Sequence, residues 1–442
     1  MAVSAAAFSP YSFARCLKAG DSSRFGIDLK TEKDAEIRKA IDCAREPDVA
    51  LVAYSELKIG GKSCVFYADY APTLVLRSLA SNVRYRTRIK MPSRDGIVRG
   101  VIQTAEDATP MAIFRRDLES FYENIPLEPI KSLLLNSPTL SPKAVKVLES
   151  FLEVHCHGKA RGLPRGLSLS AVLAELAMQD FDHAIRSNAK VHRYFRFSDD
   201  ILIFSHDLGM DVDALLSNLL PCGLAINNKK KSQIILSGDE KERRSPPRGA
   251  NPGSHSNRDR SDYRSFEYLG YDFHLSTKVD KKDCRPRSVS VCIADSKINK
   301  MKSRIVLSLK SFKKTGHTNL LVDRLRFLTS NYGVTRTGVN VRGPKKRVNS
   351  GIHFNYRLCR NGEDSSHVPQ YEDSLKKLDG FIQSLLFSSR SEFSPLVAAK
   401  ASGQQVSVLR SLSFLRGYQV PMMVRFRPQH IGLIKAAWTY VR

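Results

Sequence analysis

The chain has 442 residues, 42% of them apolar, and carries 70 lysines and arginines against 44 acids, a formal charge of +26. That length exceeds one compact core and provides for two or three domains, and so large a cationic excess points to a polyanionic partner, nucleic acid, rather than an ordinary metabolite. It speaks against a membrane protein as well: no apolar run approaches the roughly 20 residues of a spanning helix, and no basic head with a long apolar core marks a secretory signal.

The opening Met1 to Arg15 is poor in acids but holds too few basic residues before Asp21 for a transit peptide, and Glu32 to Ala44 alternates at helical spacing. Eight cysteines lie scattered without a C-x-x-C pair, the pattern of reduced thiols in a cytoplasmic protein. His155-Cys156-His157 has no second ligand pair at finger spacing and is not read as a zinc site. Between Tyr85 and Gly100 stand Arg86, Arg88, Lys90, Arg94 and Arg99, either a clamp on phosphates or a solvated charged loop.

Residues 111 to 235 hold the densest alternation of strand and helix patterns. An apolar strand from Met111 runs into Asp117, helices follow to about Glu153, and Gly162-Leu-Pro-Arg-Gly-Leu-Ser-Leu-Ser170 leads into a helix from Ser168 to Ile185. Glycines flanking a proline let the backbone approach a flat ligand such as a base pair, and serines cap the helix. The run Tyr194 to Phe204 is apolar except at its centre, where Asp199 and Asp200 form a hairpin turn. Unpaired buried charge costs several kcal/mol, so adjacent carboxylates in such a run predict a bound divalent cation. With Asp117 they predict a two-metal centre suited to in-line phosphoryl transfer.

After Ile235, residues 237 to about 264 contain almost no large apolar residue and predict a disordered basic insertion. Ser265 to Leu275 alternates as an aromatic strand pair. Ile298, Met301, Ile305, Leu309 and Phe312 mark a packed helix, with Lys297, Lys300, Lys302, Arg304, Lys310 and Lys313 on its outer side. Arg336 to Arg347 is a basic loop suited to tracking phosphates.

Taken in order, these pieces resemble the reverse transcriptase family across roughly residues 85 to 275. Asp117-Leu-Glu-Ser-Phe-Tyr122 looks like its motif A, Gly162 to Ser170 like motif B, Phe197-Ser-Asp-Asp200 like motif C, Asn228-Lys-Lys-Lys-Ser232 like motif D, and Tyr268-Leu269-Gly270-Tyr271 like motif E, the primer grip. The resemblance implies an α+β, right-hand polymerase: fingers with an N-terminal extension over 1–110, a palm with an antiparallel sheet over 111–280, and a helical thumb or accessory domain over 281–442. It implies magnesium, or manganese in its place, held by Asp117, Asp199 and the Leu118 carbonyl with Asp200 in support. Tyr122 becomes the residue that crowds the sugar 2′ position, and Lys231 the one that assists pyrophosphate departure, or else a surface lysine. Arg165, Gly166, Phe197, Lys90 and Arg94 become nucleotide contacts.

Two positions depart from the family pattern: Phe197 replaces a tyrosine, and Arg165 stands where many members have glutamine beside the incoming base. The chain leaves no room for a ribonuclease H, protease or integrase. Phe197 to Asp200, Gly162 to Ser170 and a basic C-terminal region with Ser350 to Tyr356 look like the bacterial defence-associated, abortive-infection and unknown-group branch. That implies deoxynucleotides as substrates, an RNA template and DNA product, a homo-oligomer, and a noncoding RNA or companion defence protein as partner. The alternatives are a retron-type enzyme copying its own RNA, a template-independent DNA polymerase, and an inactive nucleic-acid-binding module.

Overall fold

A computed structural model describes residues 7–18, 20–136, 138–159, 161–236, 263–277, 286–335, 347–362 and 369–438. Its strands are β1 (Ser55–Ile59), β2 (Lys62–Phe66), β3 (Met111–Asp117), β4 (Arg193–Phe197), β5 (Asp200–Ser205), β6 (Ser232–Leu236), β7 (Tyr263–Tyr268), β8 (Tyr271–Ser276), β9 (Val289–Ile293), β10 (Asn331–Thr335), β11 (Arg347–Gly351) and β12 (Met423–Val424). Helices and mainly antiparallel sheets mix along the chain. The expected insertion lies outside the described residues except for Tyr263 and Arg264, which open β7, and residues 336–346 of the expected basic loop lie outside them too.

The central sheet has the order β4-β5-β3-β6, antiparallel throughout. Both of its faces are covered, which explains why β3 and β5 read as nearly continuous apolar runs rather than as alternation. Ala112, Phe114, Ile201 and Ile203 join a core with the helices of the first half of the chain. Met111, Ile113, Leu202 and Phe204 face the other way, against the helix Arg94–Ala105 and the sheet β7-β8-β9.

The single helix expected over Ser168 to Ile185 is two, Ser168–Ala177 and Gln179–Arg186, broken at Met178. The break brings Glu175 and Asp182 onto one arginine, Arg196. That shared ion pairing overrides the local helical pattern.

The C-terminal region packs around its own cluster, from Ile293 to Trp438. The helix Asp295–Thr315 buries Ile298, Ile305, Leu309 and Phe312, as their spacing predicts. Its expected cationic outer side is interrupted: Lys302 lies over the Phe381 ring at 5.7 Å and Arg304 over Trp438 at 5.4 Å. The region is also not purely helical, since β10 pairs antiparallel with β11 and parallel with β12. Among the described residues no helix is long and apolar enough to cross a membrane.

Fully buried Asn331 ties this region together. Its amide donates to the Gly417 carbonyl at 2.8 Å, and its oxygen accepts from the His353 amide at 2.9 Å. Asn331→Ala strands two buried backbone groups and should cost about 1–3 kcal/mol, measurable as a lower denaturant midpoint.

Candidate active site

Antiparallel registry fixes the acidic positions. Asp117 ends β3 directly opposite Asp200 at the start of β5, and Asp200 pairs with Phe197 across a two-residue turn, Ser198-Asp199. The Leu118 amide donates to the Asp199 carbonyl at 2.9 Å, binding the turn to the strand beside it. Asp117 and Asp199 therefore come together although 82 positions apart in the chain, and the Leu118 backbone lies between them.

Burial pushes the Asp199 carboxyl above the usual carboxylate range, and the neighbouring Asp117 adds to the effect. Burial raises Asp200 as well, even though Arg115 grips it through two hydrogen bonds of 2.9 Å. Asp117 accepts from Asn227 at 3.2 Å and from Lys230 at 3.1 Å. Side-chain cations thus stand where negative charge collects. The three carboxylates do not close as a trio to within 4.8 Å of one another, because like charges repel and two of the three are drawn toward protein cations. The donor set, carboxylates whose ionised form is disfavoured by burial, fits a hard oxygen-seeking ion.

Beneath the turn lies a buried ion network. Arg196, 2% exposed at its side chain, donates to Asp182 at 2.8 and 2.7 Å, to Glu175 at 3.1 and 2.7 Å, and to the Ser198 carbonyl at 3.0 Å. Tyr194 adds a hydrogen bond to Asp182 at 2.7 Å. One guanidinium therefore couples two helices to the turn that carries Asp199.

Backbone strain gathers at the same place. Of the four non-glycine residues with positive φ among those described, Ser120 lies within the Asp117 to Tyr122 segment, Ser198 lies in the β4–β5 turn, and Leu269 lies in the β7–β8 turn. Left-handed backbone costs about 1–2 kcal/mol for such residues. Leu269 and Gly270, both left-handed, form the expected hairpin turn, and the Tyr268 hydroxyl donates to the Asp200 carbonyl at 3.1 Å.

Several expected nucleotide contacts have other partners. Arg94 donates to the carbonyls of Leu269 at 2.8 Å and Asn355 at 2.7 Å and lies over the Tyr271 ring at 4.6 Å; it braces the β7–β8 turn against the C-terminal region. Lys90 is exposed. Lys231 turns away to Asp213 at 2.8 Å, and its neighbour Lys230 reaches Asp117 instead. The lysine run is a short 3-10 turn, Asn228–Lys230, that ends before β6, and it carries Lys230 toward Asp117 and Lys231 toward Asp213.

Arg165 is held by Glu123 at 2.6 and 3.0 Å and lies 5.2 Å from the centre of the Tyr122 ring. Tyr122 is half-buried, and burial raises its hydroxyl pKa above the usual range, while Phe197 is exposed. Gly166, with φ +97°, has the close approach expected of it, but to protein: an added Cβ would lie 2.4 Å from the Val65 carbonyl oxygen. This contact, with the Val65 amide bonded to Arg165 at 2.7 Å, fastens the loop to β2. Between this loop and the β1–β2 hairpin is a cavity of about 680 Å³, bordered by Lys62, Ser120, Glu123 and Arg165.

Sequence reasoning missed Arg115, Glu123, Arg196, Asn227 and Lys230. Arg115 stands two positions before Asp117 and Lys230 lies within the Asn228 to Ser232 segment, so both were legible as counter-charges; the Arg196 network depends on an unforeseen helix break.

The family described as Reverse transcriptase (RNA-dependent DNA polymerase) matches residues 86–273. No curated protein matches the chain. Among solved structures, the apo telomerase of Candida tropicalis truncated from its C-terminal domain is similar at 14% identity, covering 48% of this chain and 45% of that one with a TM-score of 0.29. Telomerase of Candida albicans in complex with the TWJ fragment of telomeric RNA is similar at 11% identity, covering 94% of this chain and 60% of that one with a TM-score of 0.31. The chain thus spans about half the length of these two structures.

Arg196→Ala leaves Glu175 and Asp182 buried without their partner and should cost about 3–5 kcal/mol, read by chemical denaturation. The carboxylates predict a second outcome. A raised carboxyl pKa means the folded state favours the proton, so ionised Asp199 opposes folding above its own pKa, and the opposition fades as pH falls through it. At neutral pH without divalent cations, Asp199→Asn should raise the melting temperature, whereas added magnesium should raise it in the parent and much less in the variant.

Proposed function

We propose that the reverse transcriptase domain formed by residues 86–273 makes this protein a magnesium-dependent polymerase that builds DNA on an RNA template. The observation that carries this reading is the convergence of Asp117 and Asp199 across β3 and the β4–β5 turn, with burial raising Asp199.

Asp117, Asp199 and the Leu118 carbonyl would hold magnesium, with Asp200 in support, and the bound ions would supply Lewis-acid activation of a primer hydroxyl and stabilise the departing pyrophosphate. The protein's own residues do the positioning. Arg196 fixes the turn through Ser198, and Arg115 balances Asp200 so that the end of the sheet tolerates its charge. The Tyr268 hydroxyl ties the primer-grip hairpin to Asp200, so a strand held by Leu269 and Gly270 would be placed relative to the carboxylates. Tyr122 would crowd the sugar 2′ position, with Arg165 and Glu123 holding its ring. Lys230 near Asp117 acts as an internal counter-ion that yields to metal, and it takes the motif D role first assigned to Lys231.

Resemblance in motifs B and C supports a place in bacterial anti-phage defence. The Arg165–Glu123 pair favours synthesis with altered template handling, since the side chain next to the expected base position is engaged by protein.

The test is incubation of the purified chain with magnesium, deoxynucleotides and a primed RNA. Asp117→Asn and Asp199→Asn should each lower incorporation by at least about 10²-fold; unimpaired synthesis by both would overturn the assignment. Tyr122→Ala should raise the ratio of ribonucleotide to deoxynucleotide incorporation, read from single-nucleotide extension, and an unchanged ratio would remove Tyr122 from sugar selection.

A further inference from the structure

The end of the central sheet opposite Asp117 and Asp199 carries a second set of ligand-type side chains. His192 immediately precedes β4, His206 immediately follows β5, and Asp107 lies in the segment leading to β3. Three neighbouring strands therefore bring these residues together from positions up to 99 apart. One ring nitrogen from each histidine and one carboxylate oxygen of Asp107 lie within 4.8 Å of one another, and the two rings stand 4.4 Å apart, tilted by 46°.

We propose that Asp107, His192 and His206 bind one zinc-class divalent cation at this end of the sheet. Two imidazoles and a carboxylate form a borderline donor set, which late first-row ions take in preference to magnesium. Ligands about 2 Å from such an ion lie about 3.3 Å apart, so from within 4.8 Å closure asks of these ligand atoms shifts on the order of an ångström. The surroundings orient the ligands. The Asp107 carboxylate accepts from the Thr109 amide at 2.9 Å and from its hydroxyl at 2.8 Å, and the Asp107 carbonyl accepts from Arg287 at 3.3 Å. His206 Nδ1 lies 3.1 Å from the Pro110 carbonyl, an acceptor of the kind that fixes a ligating ring. His192 is fixed through its backbone amide, bonded to the Phe204 carbonyl at 2.9 Å.

Protonation states agree with ligation. Burial and then the neighbouring His206 lower the pKa of His192, which favours the neutral imidazole. Burial works to raise Asp107, but the Thr109 hydrogen bonds outweigh it and hold the carboxyl below its usual range. His206 is exposed, leaving room for a water as a further ligand. A cation here would staple the starts of β3 and β4 to the end of β5. Its role is structural and separate from the carboxylates at the far end.

The test uses the full chain, stripped with a chelator and titrated with cobalt(II), whose visible absorption reports nitrogen ligation. The parent and an Asp117→Asn/Asp199→Asn variant should each bind one equivalent with a visible band that zinc abolishes and equimolar magnesium does not. His192→Ala/His206→Ala should lose the band. Zinc should raise the melting temperature of the parent and leave that of this variant unchanged. The single exposed substitution His206→Gln keeps the test open should the double variant misfold, and it should weaken cobalt binding by at least about tenfold, no less than losing an outer-shell partner costs. A parent without the band, a band that survives the histidine substitutions, or displacement by equimolar magnesium would each overturn the site.

Discussion

Gathering like charge at one end of a β-sheet is the constraint from which the rest of this structure follows. Registry places Asp117 opposite Asp200 with Asp199 in the adjoining turn, and carboxylates this close disfavour one another's ionisation. The protein answers with cations of graded mobility. Arg115 is bidentate and partly buried, while Lys230 sits at the end of a largely exposed side chain. The first is a fixed balance for Asp200. The second, solvent-screened and entropically free, contributes little to stability and is easily displaced from Asp117, so in the proposed metal centre Asp117 and Asp199 would offer their oxygens more readily than Asp200.

Rigidity at this end is assembled from several parts of the chain. Arg196 draws two helices onto the Ser198 carbonyl, Tyr268 reaches the Asp200 carbonyl from the β7–β8 hairpin, and Arg94 binds that hairpin's turn to the Asn355 carbonyl in the C-terminal region. Each contact ends on a main-chain oxygen. The backbone beneath the carboxylates is thereby held without these contacts occupying their side chains, and the left-handed residues at 198 and 269 persist because these contacts over-determine them.

The strands and hairpins that carry the carboxylates were legible because apolar runs interrupted by carboxylates or by a two-residue turn leave few folded alternatives. Asp117, Asp199 and the Tyr268 to Tyr271 hairpin fall where the pattern puts them. Arginine partners were not legible. A guanidinium satisfies its donors wherever carboxylates or carbonyls converge, and in this chain Arg94, Arg165 and Arg196 find theirs inside the protein. Gly166 shows the same limit from the backbone side: sequence gives the need for close approach, while the neighbour it meets within the protein, Val65, is set by tertiary packing. The break at Met178 belongs here as well, since an ion network formed across elements outweighs the modest gain of one continued helix.

These internal pairs bear on how the proposed polymerase would meet a polyanionic template. Every arginine matched to a carboxylate removes one charge of each sign, so the whole excess of +26 resides on groups outside such pairs. Lysines are suited to that remainder, as strongly hydrated point charges on flexible stems that follow a phosphate backbone without fixed geometry, and Lys310 and Lys314 of the helix Asp295–Thr315 are exposed accordingly. Association built on such contacts displaces counter-ions and weakens steeply with salt, whereas the bidentate pairs that shape the site are shielded by partial burial. In the proposed function, affinity for nucleic acid and integrity of the carboxylate end of the sheet would rest on different cations, and ionic strength would vary the first over a wide range while the second holds.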